Sequence, residues 1–238
     1  MNFQDWHTTN RILNVTFGMN SYRTAFLILS FLFTGCSKIF RPYVCGPVLD
    51  KKSIEVFKRQ NDFLGLKSGI TYADLGASSG YYDGAMAVFL DSVTFYLNDI
   101  DEHCLNAKNL NKVLDYYSKL KGRSIQATNT FHPVIGSPMH TNLPDNTFDV
   151  IFSNATLHVL EHPDSVLTDL HKKLKTSGYL FIRDEFVFNG EIKKCNSKKC
   201  DHLVLQYEPF IAMMKRNGFE LVDETRSFGY PIYKFSKV

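Results

Sequence analysis

The chain has 238 residues, 44% of them hydrophobic and 21% charged, and a formal charge of +3. This composition excludes a disordered polymer and supplies enough apolar material for one packed domain. So mild a charge lacks the dense basic patch that nucleic acid requires, and no nucleic acid is expected as a partner.

Two regions differ in character. Residues 1–40 read as an N-terminal extension holding an apolar burst from Ala25 to Phe33, and residues 41–238 alternate short apolar runs with amphipathic segments. The burst is too short to span a bilayer but has the length of a signal-peptide core. It follows Arg23 and ends in Thr34-Gly35-Cys36-Ser37. A small residue before a cysteine at that place resembles a bacterial lipoprotein signal, here residues 19–36, with Cys36 taking the lipid. The expectation is a membrane-anchored lipoprotein; the alternative is a cytoplasmic protein whose N-terminal helix packs on its domain. In an oxidising compartment Cys195 and Cys200 are expected to pair. Those two cysteines and His202 make three metal ligands where zinc usually takes four, so no metal is expected.

Ile70 to Leu75 predicts a strand that stops at Gly76, and a loop of small residues leads into a helix from Tyr82 to Leu90. Val93 to Leu97 is the next strand. Asp101 is placed to cap a helix in which Leu105, Leu110, Val113, Leu114 and Tyr117 recur until Gly122. Val134 to Gly136 reads as a brief strand and Phe148 to Ser153 as a clearer one. Pro163 opens a helix with Val166, Leu167, Leu170 and Leu174 on its apolar face, closed by Ser177-Gly178, and Tyr179 to Ile182 follows as a strand. Pro209 starts a helix that ends at Gly218, before strands at Glu220 to Val222 and Tyr230 to Phe235. Such alternation predicts an α/β domain, a mostly parallel sheet between two helical layers, with the last strand pair antiparallel at its edge.

Ligands of open α/β sheets sit at the carboxyl ends of the strands, so the loops after the first, second and fourth strands matter most. The first, Asp74-Leu75-Gly76-Ala77-Ser78-Ser79-Gly80, lets a ligand approach the backbone. It has neither the dinucleotide nor the P-loop glycine pattern. Asp74 would repel a pyrophosphate there and would stabilise a cationic ligand. That disfavours a nicotinamide-dependent oxidoreductase. Asp99 ends the second strand, spaced from the glycines as a carboxylate that accepts ribose hydroxyls would be.

Three blocks, "GLKSGITYADLGASSGYY", "FYLNDIDEHCL" and "LPDNTFDVIFSNATLHVLEHPDSVLTDLHKKLKTSGYLFIRDE", resemble the class I S-adenosylmethionine-dependent methyltransferases, the family that includes the ubiquinone and menaquinone biosynthesis enzymes. The resemblance implies a Rossmann-like sheet of seven strands, mostly parallel with an antiparallel edge strand. It implies S-adenosyl-L-methionine as cofactor and a small-molecule methyl acceptor. It assigns Asp74, Gly76 and Gly80 to the methionine end, Asp99 and Ile100 to ribose and adenine, Ser137 and Met139 to the adenine edge, and Asn154 to the mouth of the site. Two positions depart from the family pattern: Ser78 replaces its middle glycine, and Ser137 stands where an aspartate usually faces the adenine amino group.

Methyl transfer from a sulfonium needs positioning above all, and a base only where the acceptor has a proton to lose. His158, after the fourth strand, is the expected catalytic residue, against the plainer reading of a packing histidine. Glu161, Asp184 and Glu185 lie on the same expected active-site edge, the last two against the plainer reading of exposed loop acids. Residues 41–63 and 186–207 are expected to cover the acceptor. The competing function is a non-catalytic cofactor- or partner-binding protein that keeps the fold, motivated by Ser78 and Ser137.

Overall fold

The computed structural model describes residue 43, residues 45–194 and residues 202–238. The extension 1–40, its expected signal 19–36 with Cys36, and Cys195 and Cys200 lie outside the described residues.

Seven strands form one sheet: β1 (Thr71–Leu75), β2 (Thr94–Asp99), β3 (Thr130–Ile135), β4 (Phe148–Asn154), β5 (Leu174–Arg183), β8 (Phe219–Ser227) and β9 (Tyr230–Lys237). Their order is β3-β2-β1-β4-β5-β9-β8. The first five run parallel, β9 is antiparallel to β5, and β8 pairs antiparallel with β9 at the edge. The expected α/β class and mixed sheet are thus present, with the reversed strand one place in from the edge. Two short strands, β6 (Phe186–Val187) and β7 (Leu205–Gln206), pair separately beyond β5. The helices are α1 (Val56–Leu64), α2 (Tyr81–Ala87), α3 (Ala107–Lys121), α4 (Pro163–Lys173) and α5 (Tyr207–Arg216).

Alternation along each strand sorts side chains to the two faces of the sheet. Tyr72, Val150, Phe152 and Phe181 join Phe57 and Leu64 of α1, Met86 of α2 and Val113 of α3 in one core. Ala73, Leu75, Ile151, Leu180 and Ile182 join Leu167 and Leu170 of α4 and Phe210 of α5 in the other. Each fully buried Leu, Ile or Phe contributes roughly 1.5–3 kcal/mol, so both faces of the sheet are anchored on apolar cores. Asp149 fastens the amino edge of the strands: its Oδ2 accepts from the Thr71 amide at 2.9 Å and its Oδ1 from Lys175 Nζ at 2.8 Å.

Three boundaries differ from the sequence reading. β3 begins at Thr130, upstream of the expected Val134, with Pro133 inside it opposite Leu97. A proline is tolerated there because β3 is an edge strand with one amide row unpaired. Helix α3 is capped by Asn106, whose side chain accepts from the Asn109 amide, while Asp101 accepts from the His103 amide and closes a turn before the helix. Helix α4 stops at Lys173, and Leu174 already pairs with Phe148 as the first residue of β5. Of the segment 41–63 expected to be covering loop, α1 takes the end and packs Phe57 edge-on to Tyr82 at 4.6 Å.

The segment before α1 is tied to the loop after β2. Cys45 and Cys104 form a disulfide. The Leu49 amide donates to the Tyr117 hydroxyl at 2.9 Å, and the Tyr116 hydroxyl donates to the Leu49 carbonyl at 3.2 Å.

Candidate active site

The loop after β1 is built by its backbone. The Gly76 and Ala77 amides both donate to the Asn98 carbonyl, at 2.8 and 3.0 Å, which locks this loop to the end of β2. The chain then reverses through left-handed residues at Gly76 (φ 86°), Ser78 (φ 52°) and Gly80 (φ 77°), the last capping α2. Glycine enters that region freely, whereas Ser78 does so at a steric cost. The Ser78 amide donates to Asp99 Oδ2 at 2.7 Å, and the Asp101 amide to Asp99 Oδ1 at 2.9 Å. A carboxylate held by two backbone amides keeps further lone pairs for a ligand.

Beside Asp99 lies a cavity of about 220 Å³. It brings together four of the residues expected to hold the cofactor: Gly76, Asp99, Ile100 and Ser137. Its walls also include Asn98, Pro138, Thr141 and Thr156, which the sequence reading did not single out. Asn98 Nδ2 donates to the Val134 carbonyl at 3.1 Å and to the Thr141 carbonyl at 2.7 Å, bracing β2 against the wall beyond β3. Ile100 is 61% exposed, an apolar surface beside the cavity suited to a planar ring. The Ser137 hydroxyl accepts from the His140 amide at 3.0 Å, closing the turn that carries Pro138.

Asp74, Gly80, Met139 and Asn154 do not line this cavity. A side chain at Gly80 would run into Leu97 and Leu110, so this glycine serves packing against β2 and α3. A side chain at Gly76 would run into the Thr156 side chain. Met139 is exposed and Pro138 takes the wall position beside it. Asn154 ends β4 and accepts from Arg183 Nη1.

Asp74 is buried behind the loop together with Asp83 of α2. Burial pushes the Asp83 carboxyl up to about 7, opposed by its hydrogen bond with Asp74. Burial first, and the charge of Asp83 second, hold Asp74 well above the carboxylate range. Both carboxyls are thus held above their ordinary range, with Tyr72 beneath them.

On the far side of β4, His158 and Asp184 form a dyad. His158 Nδ1 lies 2.8 Å from Asp184 Oδ1, and the His158 amide donates to Asp184 Oδ2 at 3.2 Å. The hydrogen bond to Asp184 is the main cause that raises the imidazole pKa, and desolvation opposes it. Asp184 is buried, contrary to the expectation of an exposed loop acid, because it is the partner of this histidine. Glu185 pairs with Lys193 at 2.6 Å.

A family of sequences described as a methyltransferase domain matches residues 73–182, from β1 through β5. This region of the chain is similar to a methyltransferase domain, on a fold shared with a SAM-dependent methyltransferase. The match and the fold together support S-adenosylmethionine as its cofactor. The crystal structure of a SAM-dependent methyltransferase from Aquifex aeolicus is similar at 20% identity and a TM-score of 0.57, covering 78% of this chain and 92% of that one. The mitomycin 7-O-methyltransferase MmcR is similar at 15% identity and a TM-score of 0.58, over 79% of this chain and 54% of that one. The [4+2]-cyclase SpnF matches at 15% identity and a TM-score of 0.55, over 72% of this chain and 58% of that one. At these identities the likeness is one of fold, which by itself names no reaction. No curated protein matches the sequence.

The methyltransferase cofactor fits what the chain presents. Its sulfonium and ammonium are cationic, and the buried Asp74–Asp83 pair has no basic residue in ion-pair contact among the described residues. Its ribose diol suits the Asp99 carboxylate, which the two loop amides already orient.

Proposed function

We propose that the protein transfers a methyl group from S-adenosylmethionine to a small molecule whose accepting atom carries a proton. The carrying observation is the His158–Asp184 dyad at the same strand edge as the Asp99 cavity. Asp99 and Ile100 hold the nucleoside, Asp74 lies toward the methionine end, and Asn154 and Thr156 stand between that end and the acceptor. The bound cofactor supplies a methyl group already activated for in-line attack. The chain's own work is to orient, to exclude water and to take the acceptor's proton. Asp184 fixes the His158 ring through Nδ1, a geometry in which Nε2 is the nitrogen that receives the proton. The mitomycin methyltransferase among the similar folds supports a small-molecule acceptor.

The test is methyl transfer from labelled S-adenosylmethionine into the small-molecule fraction of a cell extract. His158→Asn is expected to lose transfer and keep S-adenosylhomocysteine binding. Label found in protein or nucleic acid instead would overturn the acceptor class. Export with a lipid on Cys36 is a separate proposal, supported by the Cys45–Cys104 disulfide, since such bonds persist in oxidising compartments. An unmodified Cys36 in a soluble full-length protein would refute it.

A further inference from the structure

Arg183 ends β5, and its register partner Asn154 ends β4. Strand alternation turns both to the face that carries α1, α2 and α3, the face to which Asp74 of neighbouring β1 also turns. Arg183 is only 8% exposed. Its Nε donates to the Ser227 carbonyl at 3.2 Å and its Nη1 to Asn154 Oδ1. The rings of Tyr82, Phe228 and Tyr230 lie 5.9, 5.4 and 5.2 Å from the guanidinium carbon. All five partners are neutral. Among the described residues no carboxylate comes within ion-pair distance of Arg183.

A buried guanidinium without a counter-charge is costly, and aromatic faces offset only part of that cost. Its planar fork matches a carboxylate through two parallel hydrogen bonds. Two of its five donor hydrogens are used, and the others have no protein acceptor among the described residues. The place is the carboxyl edge of the sheet, where ligands of this architecture bind.

We propose that Arg183 is a carboxylate receptor inside the methyl-transfer site, taking the carboxylate of the cofactor's methionine end or one carried by the acceptor. This rests on the function proposed above. Tyr82, Phe228 and Tyr230 present their rings to the guanidinium, the last two reaching solvent, and Asn154 aims the fork.

Calorimetry on the full-length protein compares S-adenosylhomocysteine with its decarboxylated analogue, which keeps the amine, in wild type, Arg183→Gln and Arg183→Lys. If the cofactor supplies the carboxylate, Arg183→Gln lowers S-adenosylhomocysteine affinity by roughly tenfold or more and leaves the analogue unchanged. Arg183→Lys, with the charge but not the fork, falls between. If the acceptor supplies it, both affinities stand. Benzoate then raises the melting temperature of S-adenosylhomocysteine-saturated wild type but not of Arg183→Gln, and benzamide raises neither. Should the variants not fold, the wild-type comparisons alone decide: equal binding of the two nucleosides together with no benzoate response overturns the proposal. So does a folded Arg183→Gln that keeps every wild-type response. Failure of wild type to bind either nucleoside overturns the methyltransferase reading instead.

Discussion

The amide of Ser78 donates to Asp99 Oδ2 across 2.7 Å, so the residue that departs from the glycine pattern of the first loop is the one that holds the carboxylate of the second. The two loops are one device, and a change in either reaches the Asp99 carboxylate.

Asp99→Ala removes that link along with the proposed ribose contact. Hydrogen bonds to a charged acceptor are worth about 1.5–3 kcal/mol, so S-adenosylhomocysteine binding is expected to weaken by that amount while far-ultraviolet circular dichroism stays unchanged. Undiminished binding by a folded variant, measured by calorimetry, would remove Asp99 from the site.

Asp184→Asn is expected to lower the pKa of His158, because the hydrogen bond to that carboxylate is the main cause of its elevation. A histidine raised in the folded state contributes stability in full below its unfolded value. That contribution is lost as pH rises through the higher folded value. Nuclear magnetic resonance titration of the His158 ring should show a midpoint above the ordinary histidine value in wild type and a lower one in the variant. Equal midpoints would break the dyad.

The buried acids carry the opposite residue type but a similar slope. Asp83 is held at about 7 in the folded protein against an ordinary 3.8, so the folded state binds the extra proton and stability falls as pH rises between those values. Facing the pair are Tyr72 on β1, Tyr81 and Tyr82 on α2, Asp99 on β2 and, further off, Arg183 on β5. Asp83→Asn should flatten the fall. Urea midpoints at pH 5 and pH 8 decide this: a variant as pH-sensitive as wild type would show that the two acids are not coupled to folding.

Much of the fold was legible because both core faces are written as alternation in β1, β4 and β5 and as helical spacing in α3 and α4. The edge strand β3 was shortened in the reading by Pro133, which argues against a strand until one knows that its outer amide row is unpaired. Asp101 was read as the cap that Asn106 supplies, because the turn that inserts between β2 and α3 has no periodic signature. In the site, Gly76 and Asp99 were read from the strand ends and their loops, Ile100 and Ser137 from the family resemblance, and the four line one cavity. Asp184 was missed as the partner of His158 because the two meet only when β4 and β5 lie side by side. The same blindness hid the Cys45–Cys104 pair, whose members stand 59 residues apart, while Cys195 and Cys200 drew attention by proximity.

Reduction of Cys45–Cys104, or Cys104→Ser, is expected to destabilise the domain by about 4 kcal/mol from the loop-closure entropy of a ring this long. For a domain of this size that is roughly 8–16 °C in melting temperature. A melting temperature indifferent to reductant would mean that the cross-link constrains nothing in the unfolded chain.

That ring has contents as well as a length. Between Cys45 and Cys104 run β1, the glycine loop, α2 and β2, so Asp74, Gly76, Ser78, Asp83 and Asp99 all sit on one covalently closed stretch of chain. A protease that cuts one bond inside it yields two fragments that stay a single molecule until a reductant is added. A cut within this stretch therefore leaves the residues proposed to hold the nucleoside joined to the rest of the chain, whereas a cut in any later strand releases a fragment.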